Sequence, residues 1–279
     1  MSETNPGVLG IIAGNGVYPA ELARSARSQG VSRIVAVAFR RETRPEIEAL
    51  VDEVTWLPVG RLQALLDTFA GSGVRQVVMV GQISPTHLFR ARPDRLMREV
   101  LGGLRERNAH TIFGAVGDRL ADIGIELKPA SLFMEAAMPD AGVLTKRGPS
   151  EAELADIQLG VRVARATSEL DIGQTVVIKK GTILAVEAFE GTDITIKRAG
   201  RLGGAGSVVV KWSKPGHDVR FDIPVIGKKT LRILKKSRVS ALALQAGRSI
   251  LLEREHVVAA ADQEGITILV VDEPVAQDE

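Results

Sequence analysis

Short runs of β-branched and other apolar residues alternate with helix-periodic stretches through the first half of the chain. Val8–Ala13, Ile34–Phe39, Val54–Leu57 and Gln76–Val80 read as strands. Between them, Ala20–Gln29 is closed by Gly30 and Leu62–Ala70 by Gly71, the residue that most readily takes the left-handed conformation past a helix end. Strand and helix in alternation predict a parallel sheet covered by helices, a Rossmann-like order. After Gly81 the pattern lengthens into helices over Pro93–Arg107 and Ala109–Ile123, then a short run Ile125–Lys128 that Pro129 stops.

Segment 139–149 (PDAGVLTKRGP) has no apolar periodicity and several breakers, so it reads as an interdomain linker. The expected division is a nucleotide-binding domain over 1–140 and a second α/β domain over 141–279. The second half opens with a helix over Ser150–Glu169. A hairpin follows, in which Thr175–Lys179 and Ile183–Ala188 flank Lys180-Gly181-Thr182. Further strands are predicted at Val208–Trp212, Ser240–Ala243 and Ile266–Val271, with helices near Lys228–Lys236 and Glu255–Glu264.

Charge and composition remove several classes. Thirty-six Lys and Arg face 34 Asp and Glu, a formal charge of +2, which is no basic coat for nucleic acid. The absence of cysteine excludes disulfides, thiolate metal sites and a thiol nucleophile. Four histidines, at 87, 110, 217 and 256, include no close i, i+4 pair, so an oxygen-liganded magnesium-type site fits better than zinc. The first ten residues do not form a signal peptide, and no segment approaches the roughly 18 uncharged apolar residues of a membrane span. A cytoplasmic protein is expected.

Two glycine loops carry candidate binding chemistry. Gly14-Asn15-Gly16, with Pro19 in the first helical turn, follows a strand and opens a helix, where backbone N–H groups and the helix dipole favour a phosphate. The same residues also suit a plain tight turn. Gly81-Gln82 follows another strand of the same sheet, and parallel strands bring the two loops to one edge. The second strand ends Phe39-Arg40-Arg41 without the acid that would grip a ribose, which disfavours NAD while leaving an Arg pair for the 2′-phosphate of NADP.

Carboxylates are the main question for phosphoanhydride chemistry, which needs charge neutralisation and a positioned water. Glu187, Glu190 and Asp193 lie where an apolar strand gives way to a helix starting at Thr192. Thr192 as an N-cap and Asp193 as a first-turn acid is the bland reading. Asp222 interrupts the apolar run Val219–Ile226. Read as a strand, that run puts Asp222 on the face of Arg220, so an ion pair competes with a catalytic role.

LGIIAGNGVYPAELA near the start, VMVGQIS, LDIGQ at 170–174 continuing into AVEAFEGTD at 185–193, and DIPVIG at 222–227 together resemble the LpxI family of UDP-2,3-diacylglucosamine pyrophosphatases across nearly the whole chain. The resemblance implies hydrolysis of a UDP-linked diacylated glucosamine to UMP and the 1-phosphate known as lipid X, a step of lipid A synthesis. It implies Mg2+ (or Mn2+) as cofactor, a Rossmann-like domain and a distinct C-terminal domain holding the substrate between them, and a homodimer with at most peripheral membrane contact through its lipid. Gly14, Asn15, Gly16, Pro19, Gly81 and Gln82 would line the nucleotide. Asp222 would be the essential acid and a metal ligand with Asp193, and Glu190 and Thr192 would join them at metal or phosphate. One departure is Arg107-Asn108-Ala109-His110, where many members carry Gly-Asp-Asp. The alternatives are a non-catalytic nucleotide- or lipid-binding relative and an NADP-dependent oxidoreductase.

Overall fold

The computed structural model describes residues 7–83, 91–170, 172–213, 218–221 and 223–272. The chain divides into two compact units. One runs up to Glu135 and takes in a short segment beginning at Asp218; the other runs from Ala136 and resumes at Ile223.

The first unit is a parallel sheet of five strands in the order β3-β2-β1-β4-β5, namely β1 (Val8–Ala13), β2 (Arg33–Phe39), β3 (Glu53–Leu57), β4 (Gln76–Val80) and β5 (Glu126–Lys128). Burial explains the central strands: every residue of β1 and β2 after the first is buried, as expected when helices cover both faces of a parallel sheet. The covering helices are α1 (Tyr18–Ser28), α2 (Leu62–Gly71), α3 (Arg95–Gly103) and α4 (Ala109–Asp122). Helix α3 is shorter than the pattern suggested, starting at the Asp94 cap, whose carboxylate accepts from Met97 N, and stopping at Gly103. Leu65, Phe69, Val77, Met97, Ile112 and Leu120 belong to one core between the sheet and α2–α4.

The second unit holds a mixed sheet of six strands, β6-β13-β11-β9-β7-β8. These are β6 (Gly142–Val143), β7 (Thr175–Lys179), β8 (Thr182–Val186), β9 (Ser207–Lys211), β11 (Val239–Gln245) and β13 (Thr267–Val271), while β10 (Val225–Ile226) and β12 (Ile250–Leu251) form a small parallel pair. Helix α5 (Glu151–Glu169) covers one face around Ile157, Val161 and Ala164. Helices α6 (Thr192–Gly203), α7 (Lys228–Lys236) and α8 (Arg254–Gln263) cover the other around Ile196, Leu234 and Val257. The β7–β8 turn places Lys180 at φ 50° and Gly181 at φ 74°, the doubly left-handed turn that matches strand twist. The buried Asp156 of α5 accepts both turn amides, Lys180 N at 2.8 Å and Gly181 N at 2.7 Å.

Segment 139–149 is not a loose linker. Strand β6 pairs antiparallel with β13. The buried Thr145 hydroxyl accepts from Ile268 N at 3.0 Å, and Arg147 donates to Glu153, Gly265 O and Ser240 O. Side-chain bonds to backbone, which leave no mark on apolar periodicity, stitch the segment to the sheet edge.

Candidate functional site

The sequence expectation that the two glycine loops share one edge is met by direct pairing. Asn15 N donates to Gln82 O at 2.6 Å and Gln82 N donates back to Asn15 O at 3.1 Å, while Gly14 N bonds Val80 O at 2.8 Å. Gly14 and Gly81 make the approach possible. A Cβ on Gly14 would lie 2.7 Å from the Gly81 carbonyl carbon, and one on Gly81, at φ +90°, would lie 2.7 Å from Asn15 O. Gly16 differs: its φ is +105°, but no atom of the described residues lies within 4 Å of where its Cβ would be. Two glycines are therefore spent on loop-to-loop packing, and Gly16 is the one with open space for a ligand. Pro19 sits at the start of α1 with its side chain buried.

Beneath this bridge, the Thr43 hydroxyl accepts from Phe39 N at 2.8 Å and donates to Ala13 O, tying the ends of β1 and β2. Arg41 takes φ 69°, and Glu42 is buried with 4% exposure. The acid absent from the end of β2 thus lies a turn further on, inside the unit and not at the surface where a ribose would meet it. Beside the loops, Ile12, Phe39, Leu65, Met79, Met97 and Phe113 help line an apolar pocket of about 50 Å³. Among the described lining residues only Arg61 carries a charge.

Helix α4 begins at the departure noted above. Asn108 is its N-cap, accepting from Thr111 N at 2.9 Å, a task Asp performs equally well. The His110 and Phe113 rings pack edge-on against Phe221 at 5.6 and 5.8 Å. Residues 219–221 form a turn and not the strand that alternation suggested. Arg220 pairs with Asp218, its Nη2 at 2.6 Å and Nε at 2.8 Å from the carboxylate. That guanidinium, more than any other group, holds the Asp218 carboxyl below the usual range. Asp222 itself lies outside the described residues, as does Asp171 of the LDIGQ motif.

In the second unit the acids at the β8–α6 junction are each engaged. Glu190 accepts its own backbone N–H and the Arg198 guanidinium, the latter at 2.6 Å, and both hold its carboxyl below the usual range. Asp193 faces Lys229 Nζ at 2.7 Å. Thr192, at the first position of α6, is not the cap: Gly191 is, at φ +81°, and it contributes no side-chain acceptor. The Thr192 hydroxyl instead reaches back to Glu187, at 3.0 and 3.1 Å from the two carboxylate oxygens, and lies 3.2 Å from the Thr175 hydroxyl.

Register shows what sequence reasoning missed. Glu187 N bonds Thr175 O, and Thr175 pairs across β7–β9 with Lys211, so the three form a polar row at one end of the sheet, on the face covered by α6. All three are buried. Lys211 directly after the apolar run Val208–Val210 was the available signal, a charge at a core-facing position.

A parallel five-stranded α/β unit with a glycine bridge at its strand ends, joined to a mixed α/β unit carrying a buried row of a carboxylate, a hydroxyl and an ammonium, defines a two-unit α/β protein. Residues 8–137 match the family model of the LpxI N-terminal domain and residues 140–269 that of the LpxI C-terminal domain, and the chain belongs to the LpxI family. It is 30% identical over 275 residues to the UDP-2,3-diacylglucosamine pyrophosphatase LpxI of Caulobacter vibrioides, covering 95% of this chain and 97% of that protein. Among solved structures, the biotin carboxylase domain of Hydrogenobacter thermophilus 2-oxoglutarate carboxylase is 15% identical with a TM-score of 0.27, over 69% of this chain and 40% of that one. The biotin carboxylase subunit of a pyruvate carboxylase is 14% identical with a TM-score of 0.27, over 70% and 41%. Likenesses this distant add nothing to the assignment.

Proposed function

We propose that the chain hydrolyses the pyrophosphate bond of UDP-2,3-diacylglucosamine, releasing UMP and 2,3-diacylglucosamine 1-phosphate. The observation that carries this reading is the match across 95% of the chain, through both units, to a relative named for that activity. Cleaving a phosphoanhydride requires that negative charge on two phosphates be met and that a water be placed in line with the breaking bond. The open space at Gly16 and the start of α1 support a nucleotide phosphate on the first unit. Asp222 is the acid of this reading, taking a proton from the attacking water as its oxygen bonds to phosphorus and the bridging oxygen leaves with the other phosphate.

Mg2+ (or Mn2+) would add positive charge at the phosphate oxygens. The described residues alone do not fit it. No group of three or more His, Cys, Asp or Glu among them is placed to hold a metal, and Asp193 already faces Lys229. Asp222 and Asp193 as its ligands rest on the motif resemblance, and the step above does not pass through a metal. The same reading carries a cytoplasmic homodimer whose membrane contact is confined to its lipid substrate. Among the described residues no helix is long and apolar enough to cross a membrane.

The test is UMP release from UDP-2,3-diacylglucosamine by the purified protein with Mg2+ present. Turnover is expected, and Asp222→Asn should suppress it while substrate still binds. Binding without turnover by the unaltered protein would refute hydrolysis.

A further inference from the structure

Lys211 is the last residue of β9 and is 6% exposed, yet its ammonium has no hydrogen-bond or ion-pair partner among the described residues. Four other lysines of this unit have partners, Lys179 in Gly203 O, Lys228 in Glu253, Lys229 in Asp193 and Lys235 in Glu264, and the described ones without a partner, such as Lys197 and Lys236, are exposed. The lysine is largely enclosed but its ammonium still reaches solvent, so an anion entering from solvent can meet a charge that no protein group answers.

The surroundings specify an anion. Lys211 pairs with Thr175, and paired residues project to the same face, so the ammonium shares its face with the Thr175 hydroxyl and, through it, with Thr192 in the first turn of α6. That helix spans 12 residues and is capped by Gly191, which offers no side-chain acceptor to the first-turn N–H groups. First-turn N–H groups, the positive end of the dipole and the unpaired ammonium of a largely enclosed lysine all favour the same sign of ligand. The acids near this helix start are already met: Glu187, two strands from Lys211 and about 10 Å away at ordinary strand spacing, by the Thr192 hydroxyl, Glu190 by Arg198, and Asp193 of the first turn by Lys229.

We propose that Lys211 binds a phosphoryl group of the substrate against the N-terminus of the Thr192–Gly203 helix, as the anion-binding side chain of the second unit. The proposal rests on the hydrolase reading for the identity of the ligand but not for the existence of the site. It makes Lys211 a substrate-binding residue, and it predicts that the ligand-free protein gains nothing from the charge.

Thermal unfolding of the full chain with inorganic pyrophosphate as the probe tests this. The wild type should be stabilised by millimolar pyrophosphate. Lys211→Met should unfold at the same or a higher temperature without ligand and lose at least tenfold in pyrophosphate affinity, and Lys211→Arg should recover part of it. With UDP-2,3-diacylglucosamine, Lys211→Met should raise KM at least tenfold. Lys211→Met with unchanged pyrophosphate affinity, a wild type that pyrophosphate does not stabilise, or a large loss of ligand-free stability in Lys211→Met would each overturn the proposal. Pyrophosphate binding that depends on Lys211 in a protein releasing no UMP would instead refute the hydrolase reading and leave the site standing.

Discussion

Gly14 and Gly81 lie against each other so closely that neither position has room for a Cβ: each would fall 2.7 Å from backbone atoms of the opposing loop. Two parallel strands are thereby joined past their carboxyl ends by the reciprocal Asn15–Gln82 bonds.

Replacing Gly81 by Ala combines this clash with a left-handed φ of +90°, and should cost about 2–4 kcal/mol in urea denaturation. Gly16→Ala has the positive φ without the clash, so its cost should be about 1–2 kcal/mol, with nucleotide affinity falling more than stability. Equal stability losses in the two variants would contradict the separate roles given to these glycines.

Thr192→Val keeps the shape of the α6 terminus but removes the hydroxyl that meets Glu187 and Thr175. Leaving a buried carboxylate without this donor should cost about 1–3 kcal/mol by chemical denaturation, and Thr192→Ser should restore most of it. A valine variant as stable as the wild type would show the hydroxyl to be idle.

Asp156 predicts a turn-specific defect. Its carboxylate is the acceptor for two amides of the β7–β8 turn, so Asp156→Ala should destabilise the second unit by about 2–4 kcal/mol. Hydrogen exchange at Lys180 and Gly181 should quicken before exchange elsewhere in that sheet.

Acid should loosen the edge of the second sheet through Glu153. Burial opposes ionisation there, but hydrogen bonds from Arg147 and the Ser150 N–H prevail and bring the carboxyl from 4.5 down to about 2. A carboxyl lowered on folding contributes stability that is complete above its unfolded value and is lost as pH falls through the folded one. The window is therefore from about pH 4.5 down to about 2. Allowing for the half-exposed Arg147, the contribution is on the order of 1–2 kcal/mol. Glu153→Gln should flatten the pH dependence of unfolding in that window, which acid titration of the two proteins will show.

Elements with strong local signals were legible in the sequence. Strands β1 and β4 ended where their apolar runs met Gly14 and Gly81, and the Lys180-Gly181 turn followed from its residues, because backbone preference and burial pointed the same way. What escaped depended on contacts between distant positions. The two-residue β6 carries no alternation and is held by the bonds of Thr145 and Arg147. The run at 219–226 alternates like a strand, yet Asp218 and Arg220 close a turn at its start. The glycine pattern identified an edge but not which glycine serves packing and which leaves space. The row Glu187–Thr175–Lys211 exists only once β8, β7 and β9 are side by side, so the sequence marks Glu187 and Lys211 singly but not as one row.

Hydrolysis of UDP-2,3-diacylglucosamine, followed by 31P NMR with Mg2+ present, is the most direct measurement. The purified protein should convert the pyrophosphate signals into those of UMP and a sugar 1-phosphate, and Asp222→Ala should slow this at least about 100-fold while still binding the substrate. Pyrophosphate signals that persist with bound substrate, or an Asp222→Ala variant that turns over like the wild type, would contradict the account.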